Sequence, residues 1–164
     1  MEYSHITHPF DPIYDRNSRI LILGSFPSVK SREQQFFYGH PMNRFWKVMA
    51  GVLEKAVPVT VEEKKQFLLE NGIAVWDVIE SCDIKGSSDS SIRNVVPTDI
   101  AGVLKESPIK KIYTNGKTAG TLFTKYQEKA IGRPAMILPS TSPANAAYSL
   151  ERLIQIWKEE LDFS

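Results

Sequence analysis

Tyr38-Gly39-His40-Pro41-Met42-Asn43-Arg44-Phe45-Trp46 gathers aromatic rings, an imidazole, an amide and a guanidinium into nine consecutive positions. Side chains of these kinds stack on flat polar rings and hydrogen-bond to their edges. Two further stretches are built from turn and hydroxyl residues, Gly24-Ser25-Phe26-Pro27-Ser28 and Pro139-Ser140-Thr141-Ser142-Pro143-Ala144-Asn145. Backbone N–H and C=O groups of the first can read the edge of a bound ring. Phe26 can offer that ring a stacking face or can pin the loop to the core, and Tyr38 has the same two uses, with the functional one favoured. The hydroxyls of Ser140, Thr141 and Ser142 are donors for an anion, although Ser and Thr also cap helices routinely. His40 can donate to a ligand or bond a backbone group of its own loop.

These groups need elements to hold them. The apolar run Ile20-Leu21-Ile22-Leu23 stops abruptly at Gly24, as a buried strand does at a turn. Asn43 to Leu53 places Phe45, Trp46, Met49, Val52 and Leu53 at helical spacing, which assigns Trp46 mainly to packing. Thr60 and Glu63 form a capping box for a helix that stops near Asn71-Gly72. Ile73 to Ile79 reads as a second strand, and Ser81 to Val96, rich in Ser and Asp, as a long connection without a regular element. A helix from Pro97-Thr98-Asp99-Ile100 ends before Pro108, Lys110 to Thr114 is a third strand, and Lys117 to Lys129 a further helix. Ala135 to Leu138 is the fourth strand, and Tyr148, Leu150, Leu153, Ile154, Trp157 and Leu161 outline a last amphipathic helix. Such alternation predicts an α/β fold, a three-layer α/β/α sandwich around a four-stranded parallel sheet. In a parallel sheet the first and fourth strands leave by the same edge, so both hydroxyl-rich loops face one crevice. The helix after the second loop adds an N-terminus that favours an anion.

Composition narrows the function classes. With 164 residues and 42% hydrophobic content, the chain supports one domain over residues 1–164, with Met1 to Ser18 wrapping over it through Pro9-Phe10 and Ile13-Tyr14. A net charge of +1 gives no global attraction to polyanions, so any such site needs local cations, for which Lys30, Arg32, Arg44, Lys117 and Lys125 are candidates. The single cysteine, Cys82, excludes an intramolecular disulfide and a Cys-rich zinc or iron–sulfur site. His5 and His8 can pinch a metal, but a packed or frayed tail is the preferred reading, and neither metal nor organic cofactor is expected. No apolar run reaches membrane-span length and the N-terminus lacks the pattern of a signal peptide, which predicts a cytoplasmic protein without a membrane partner; a monomer is expected.

With these residues in view, the chain resembles the uracil-DNA glycosylase superfamily. It is most similar to the branch of hypoxanthine-DNA (deoxyinosine) glycosylases, also described as mismatch-specific. The resemblance is carried by Gly24 to Ser28, Tyr38 to Trp46, Gly72 to Val78 and Ser140 to Asn145, and His40-Pro41-Met42-Asn43-Arg44-Phe45-Trp46 is its most specific string. It implies a monofunctional enzyme that hydrolyses the N-glycosidic bond of a deaminated base in DNA, hypoxanthine or also uracil, without ranking the two. Gly24, Ser25, Phe26, Pro27, Ser28, Tyr38 and His40 would bind the base. Ser140, Thr141, Ser142, Pro143, Ala144 and Asn145 would contact DNA. Phe26 stands where mismatch-specific relatives carry a catalytic Asn, and Ser140 where many members carry His or Asn. The resemblance moves the catalytic amide to Asn43, which would hold the attacking water; capping of the following helix is the competing role, and both can hold. Ala144 or Asn145 lies where relatives place a wedge, though Ala is small for that work. Two other classes stay open: a lesion-binding protein without catalysis, suggested by Phe26, and a small hydrolase using Ser25 or Ser28 with His40, which lacks the expected nucleophile elbow.

Overall fold

Ile20, Leu21, Ile22 and Leu23 are buried essentially completely because β2 (Ile20–Gly24) runs through the middle of a parallel sheet. That sheet, in a computed structural model describing residues 2–164, has the order β3-β2-β6-β7, with β3 spanning Ile73–Asp77, β6 Lys111–Asn115 and β7 Met136–Leu138. Register pairs Gly24 with Asp77, and Asn115 with Leu138, so the carboxyl ends of all four strands lie along one edge. The sheet is sandwiched between helices, as the alternating pattern predicts. Met1 of the expected wrapping segment lies outside the described residues.

Helix α1 (Val29–Gln34) follows the first loop directly, its first turn capped by the Ser28 hydroxyl, which accepts from the Ser31 N–H at 3.2 Å. The sequence reading contains no helix there, because six residues with no apolar stripe leave no periodic signal. Helix α2 (Phe45–Leu53) buries Phe45, Trp46, Val48, Met49, Ala50 and Val52. Helix α7 (Leu150–Glu160) packs closely against it, since Gly51 has no Cβ to meet the Ile154 side chain, which stands 2.5 Å from where one would be. Helix α3 (Val61–Glu70) has both halves of the capping box: Glu63 N–H donates to Thr60 Oγ1 at 3.1 Å, and Thr60 N–H to Glu63 Oε1 at 2.9 Å. Thr60→Ala is expected to lower unfolding free energy by about 1 kcal/mol in urea titration, with unchanged activity.

Three expectations are corrected. The strand expected over Ile73–Ile79 ends at Asp77, and after Val78 the chain enters β4 (Ile79–Ile84), which belongs to a second sheet. That antiparallel sheet, β1-β4-β5, joins β1 (Ser4–Thr7) and β5 (Arg93–Pro97), so the supposed structureless connection from Ser81 to Val96 holds most of two strands and a 3-10 turn at Asp89–Ser91. β4 carries register shifts and β5 is largely exposed, which removes the clean alternation that reveals a strand. The helix expected from Lys117 to Lys129 runs as α5 (Lys117–Phe123), a π-helical stretch Thr124–Glu128 and α6 (Lys129–Ile131). Helix α4 (Ile100–Glu106) is capped by Asp99, whose side chain accepts from the Gly102 N–H at 3.1 Å. The N-terminal segment does wrap: Ile13 bridges Val75 beside β3, and Phe10 lies 4.7 Å edge-on to Phe37.

Candidate active site

The two hydroxyl-rich loops and the loop before α2 surround one cavity of about 300 Å³ at the carboxyl edge of the sheet, a volume at the small end for ligand pockets. Gly24, Ser25, Phe26, Pro27, Ser28, Tyr38, His40, Asn43, Ser140, Thr141, Ser142, Pro143 and Ala144 all line it. Asn145 does not: it folds back, its Nδ2 donating to the Ser140 carbonyl at 2.9 Å. Six residues of the wall are not among the site residues expected from sequence: Ser31, Phe37, Asp77, Ser87, Asp89 and Asn115.

Asn43 is held by its oxygen. Oδ1 accepts from the Phe45 N–H at 2.9 Å and from Thr141 Oγ1 at 2.8 Å, while Thr141 Oγ1 itself accepts from Asn115 Nδ2 at 2.9 Å. This chain of donors leaves the Thr141 hydroxyl proton only Asn43 to point at, which fixes which end of the Asn43 amide is the oxygen and leaves its NH₂ without a protein partner among the described residues. A carbonyl oxygen has two lone pairs, and both are occupied. The expected capping role is therefore present, and what Asn43 offers a ligand is a pair of N–H donors. Thr141 is fully buried in this network and is no DNA-facing group.

Arg44 locks the second loop from beneath. Its guanidinium donates to the carbonyls of Ser142 and Asn145, each at 2.9 Å, and to that of Tyr148, while its N–H donates to the Thr141 carbonyl at 3.0 Å. Arg32 similarly donates to the Gly86 carbonyl at 2.6 Å. Neither cation is thus free for phosphate as expected. Ser140 and Ser142 hydroxyls accept from the N–H groups of Ser142 and Ala144 within tight turns. The second loop also does not run straight into a helix: α7 begins only at Leu150, capped by Ser149, so its N-terminus stands outside the cavity wall.

The aromatic expectations are modified. Phe26 is buried, its ring perpendicular to that of His8 at 6.0 Å between centroids. Tyr38, in a left-handed conformation at φ 52°, stacks one face on Phe45 at 4.0 Å and 18°, leaving only the other for a ligand. Burial and the neighbouring Asp77 charge push the Tyr38 phenol far above its ordinary pKa, so it is a neutral hydroxyl. His40 accepts the Met42 N–H through Nδ1 at 3.1 Å, so a neutral ring carries its proton on Nε2. Ser25 bonds Asp89 at 3.2 Å and Ser28 caps α1, so neither serine is paired with His40 and no hydrolase dyad is formed.

At the end of β3, Asp77 is only 4% exposed. Its Oδ2 lies 2.7 Å from Nε2 of His8, also buried, while no protein group among the described residues bonds Oδ1. Burial disfavours the His8 imidazolium, but the hydrogen bond and charge of Asp77 outweigh it, helped by the Phe10 backbone and Glu80, and hold its pKa above the ordinary value. His5, by contrast, bonds Asp83 at 2.8 Å, so the two histidines have separate partners. Residue 24 must be glycine, because a Cβ there would stand 2.5 Å from Asp77 Oδ1 and 3.3 Å from the Tyr38 hydroxyl. Sequence carried one signal for Asp77: it is the lone acid in an otherwise apolar strand. No helix among the described residues is long and apolar enough to cross a membrane.

The family model described as "Uracil DNA glycosylase superfamily" matches residues 12–160. A protein named hypoxanthine DNA glycosylase from Methanosarcina acetivorans is 34% identical over 151 residues, covering 90% of this chain and 93% of that protein. Another of the same name from Methanosarcina barkeri is 31% identical over 140 residues, 83% of this chain and 86% of that protein. The solution NMR structure of a candidate uracil DNA glycosylase from Methanosarcina acetivorans superposes with a TM-score of 0.76 at 31% identity, covering 92% of this chain and 95% of that one. The expected fold, the cavity at the strand ends and these likenesses over nearly the whole length agree: the chain belongs to the uracil DNA glycosylase superfamily.

Proposed function

We infer that this protein is a monofunctional DNA glycosylase that hydrolyses the N-glycosidic bond of a deaminated base, with hypoxanthine as the first substrate and uracil as the second. The observation that carries the reading is the convergence of three separate loops on one base-sized cavity, lined by Asn43, whose oxygen is taken by the protein and whose N–H groups are not. The names of the two Methanosarcina relatives support hypoxanthine. A base inside a duplex is out of reach, so the nucleotide must be flipped into the cavity. Bond cleavage places negative charge on the departing base and positive charge on the sugar, and preorganised groups of opposite sign stabilise each.

Asn43 supplies the donors. Its N–H groups hold the oxygen of the attacking water and face the base as its charge develops, and both roles use the nitrogen rather than the occupied oxygen. Asp89, exposed in the cavity wall with Ser25 donating to one of its carboxylate oxygens, is the negative group assigned to favour positive charge on the sugar. His40 offers its Nε2–H to the base or to a flanking phosphate. Purified protein incubated with oligonucleotides bearing one deoxyinosine or one deoxyuridine, then treated with alkali, tests the reading. Strand cleavage at inosine is expected. Tight binding to the inosine duplex with no abasic product would instead identify a lesion-binding protein.

Lys117 is the exposed cation beside the second loop, lining a shallow groove with Ser140, Ser142, Ala144 and Asn145. If the groove tracks a phosphate, Lys117→Ala weakens binding to damaged and undamaged duplexes alike. The slope of log affinity against log salt then falls by about 1. Equal slopes for the two proteins would remove Lys117 from the interface.

A further inference from the structure

Two hydrogen-bonding edges separate a deaminated base from the bases it must not be confused with. Hypoxanthine presents a ring N–H next to a carbonyl, and uracil shares that pair. Adenine presents a lone pair at the same ring nitrogen and would meet a carboxylate oxygen with repulsion. Guanine is the harder case, because it has the same ring N–H and carbonyl and adds an amino N–H alongside. A carboxylate with both oxygens open takes that N–H pair of guanine in a two-point contact, the geometry that makes carboxylates good partners for forked donors.

Asp77 is a carboxylate in the cavity wall with one oxygen closed. Its Oδ2 is held at 2.7 Å by His8, which the N-terminal segment delivers from 69 positions away, and Oδ1 is left without a protein partner among the described residues. His8 cannot swing aside easily: it is buried among Phe10 at 4.7 Å and Phe26 and Phe37 at 6.0 Å each. Phe26 thus forms part of the wall that keeps water from the pair. The absence of a side chain at Gly24 gives Oδ1 its room.

We propose that Asp77 reads the ring N–H of the flipped base through Oδ1, and that His8 is a positioning residue which, by closing Oδ2, limits the carboxylate to one N–H and so excludes guanine. The assignment rests on the deaminated-base reading above and deepens it. Substrates then share one feature, an N–H flanked by a carbonyl without an adjacent amino group; adenine fails at the ring nitrogen and guanine at the amino group, which finds no acceptor and remains unpaired.

Binding of the free bases hypoxanthine, guanine and adenine to the intact protein, by isothermal titration or ligand-observed NMR, tests this without relying on catalysis. The unsubstituted protein is expected to prefer hypoxanthine over both others. His8→Ala opens Oδ2 and should raise the guanine-to-hypoxanthine affinity ratio at least about tenfold, the scale of one charge-assisted hydrogen bond. His8→Gln, whose amide can still donate to Oδ2, should hold the original ratio, which a role in packing alone would not predict. Asp77→Asn, with its oxygen toward the His8 N–H and its NH₂ toward the cavity, should weaken hypoxanthine and strengthen adenine. A His8→Ala protein with the original ratio overturns the role of His8. Should that variant fail to fold, Asp77→Asn decides, and unchanged base preferences there overturn the assignment. Failure to release any base from DNA, with these base preferences as expected, would sink the glycosylase reading and leave the base-reading one standing. No binding of any base by the unsubstituted protein sinks this one.

Discussion

Asn43→Ala lowers the single-turnover rate of hypoxanthine release by about 100- to 1,000-fold while the inosine duplex is still bound, the usual cost of removing one preorganised donor from a developing charge. The substitution also deletes the acceptor for the Phe45 N–H and the Thr141 hydroxyl, so a stability loss of about 1 kcal/mol accompanies it. Asn43→Asp separates the two roles. Aspartate keeps an oxygen for the Phe45 and Thr141 donors but turns an acceptor, rather than N–H groups, toward the cavity. It is expected to unfold near the unsubstituted protein in urea and to remain slow. A fast Asn43→Asp enzyme would mean that the group at residue 43 works by accepting a proton from water. An Asn43→Ala enzyme with an unchanged rate would reduce residue 43 to a helix cap.

The second large effect is on stability. Phe45 is completely buried, and its ring is stacked on Tyr38 at 4.0 Å, edge-on to Trp46 at 4.9 Å and 6.0 Å from Trp157 at 77°. It therefore joins the base-binding loop to both α2 and α7. Phe45→Ala removes an aromatic side chain from a place where two helices and a loop meet and cannot all collapse inward, which costs about 3–5 kcal/mol. For a chain of this size that lowers the midpoint of thermal unfolding by roughly 6–20 °C, readable by circular dichroism. Tyr38 loses the surface beneath its ring, so base binding should weaken more than unfolding at the assay temperature explains. A loss under 1 kcal/mol would show that neighbouring side chains fill the space and that this aromatic contact does not hold the loop.

Much of the frame was legible because its signals are local. A contiguous apolar run such as Ile20 to Leu23 can only be buried, and the capping box at Thr60 and Glu63 satisfies helix N–H groups within four residues. Their order then placed two loops on one sheet edge. The second sheet was not legible, since β5 is mostly exposed and β4 is irregular, and neither shows the periodicity of a half-buried strand. Asn115 holds Thr141, 26 positions on, and that task leaves no mark in the neighbouring residues. Arg44 read as a phosphate ligand because nothing near it in the chain shows that loop carbonyls about 100 residues later will take its donors.

By itself, then, the amino-acid order determined the parallel sheet, the helices that cover it, the two loops at its carboxyl edge and the motif around Asn43. All of these follow from hydrophobic period, caps and turns, which act over a few residues. Tertiary structure alone decided which atom of Asn43 is taken by the protein, that Arg44 is a clamp, and that His8 closes one oxygen of Asp77. Those outcomes depend on contacts between residues 69 to 104 positions apart. Such contacts are set by how buried polar groups find partners once the layers have packed, and no local pattern encodes them.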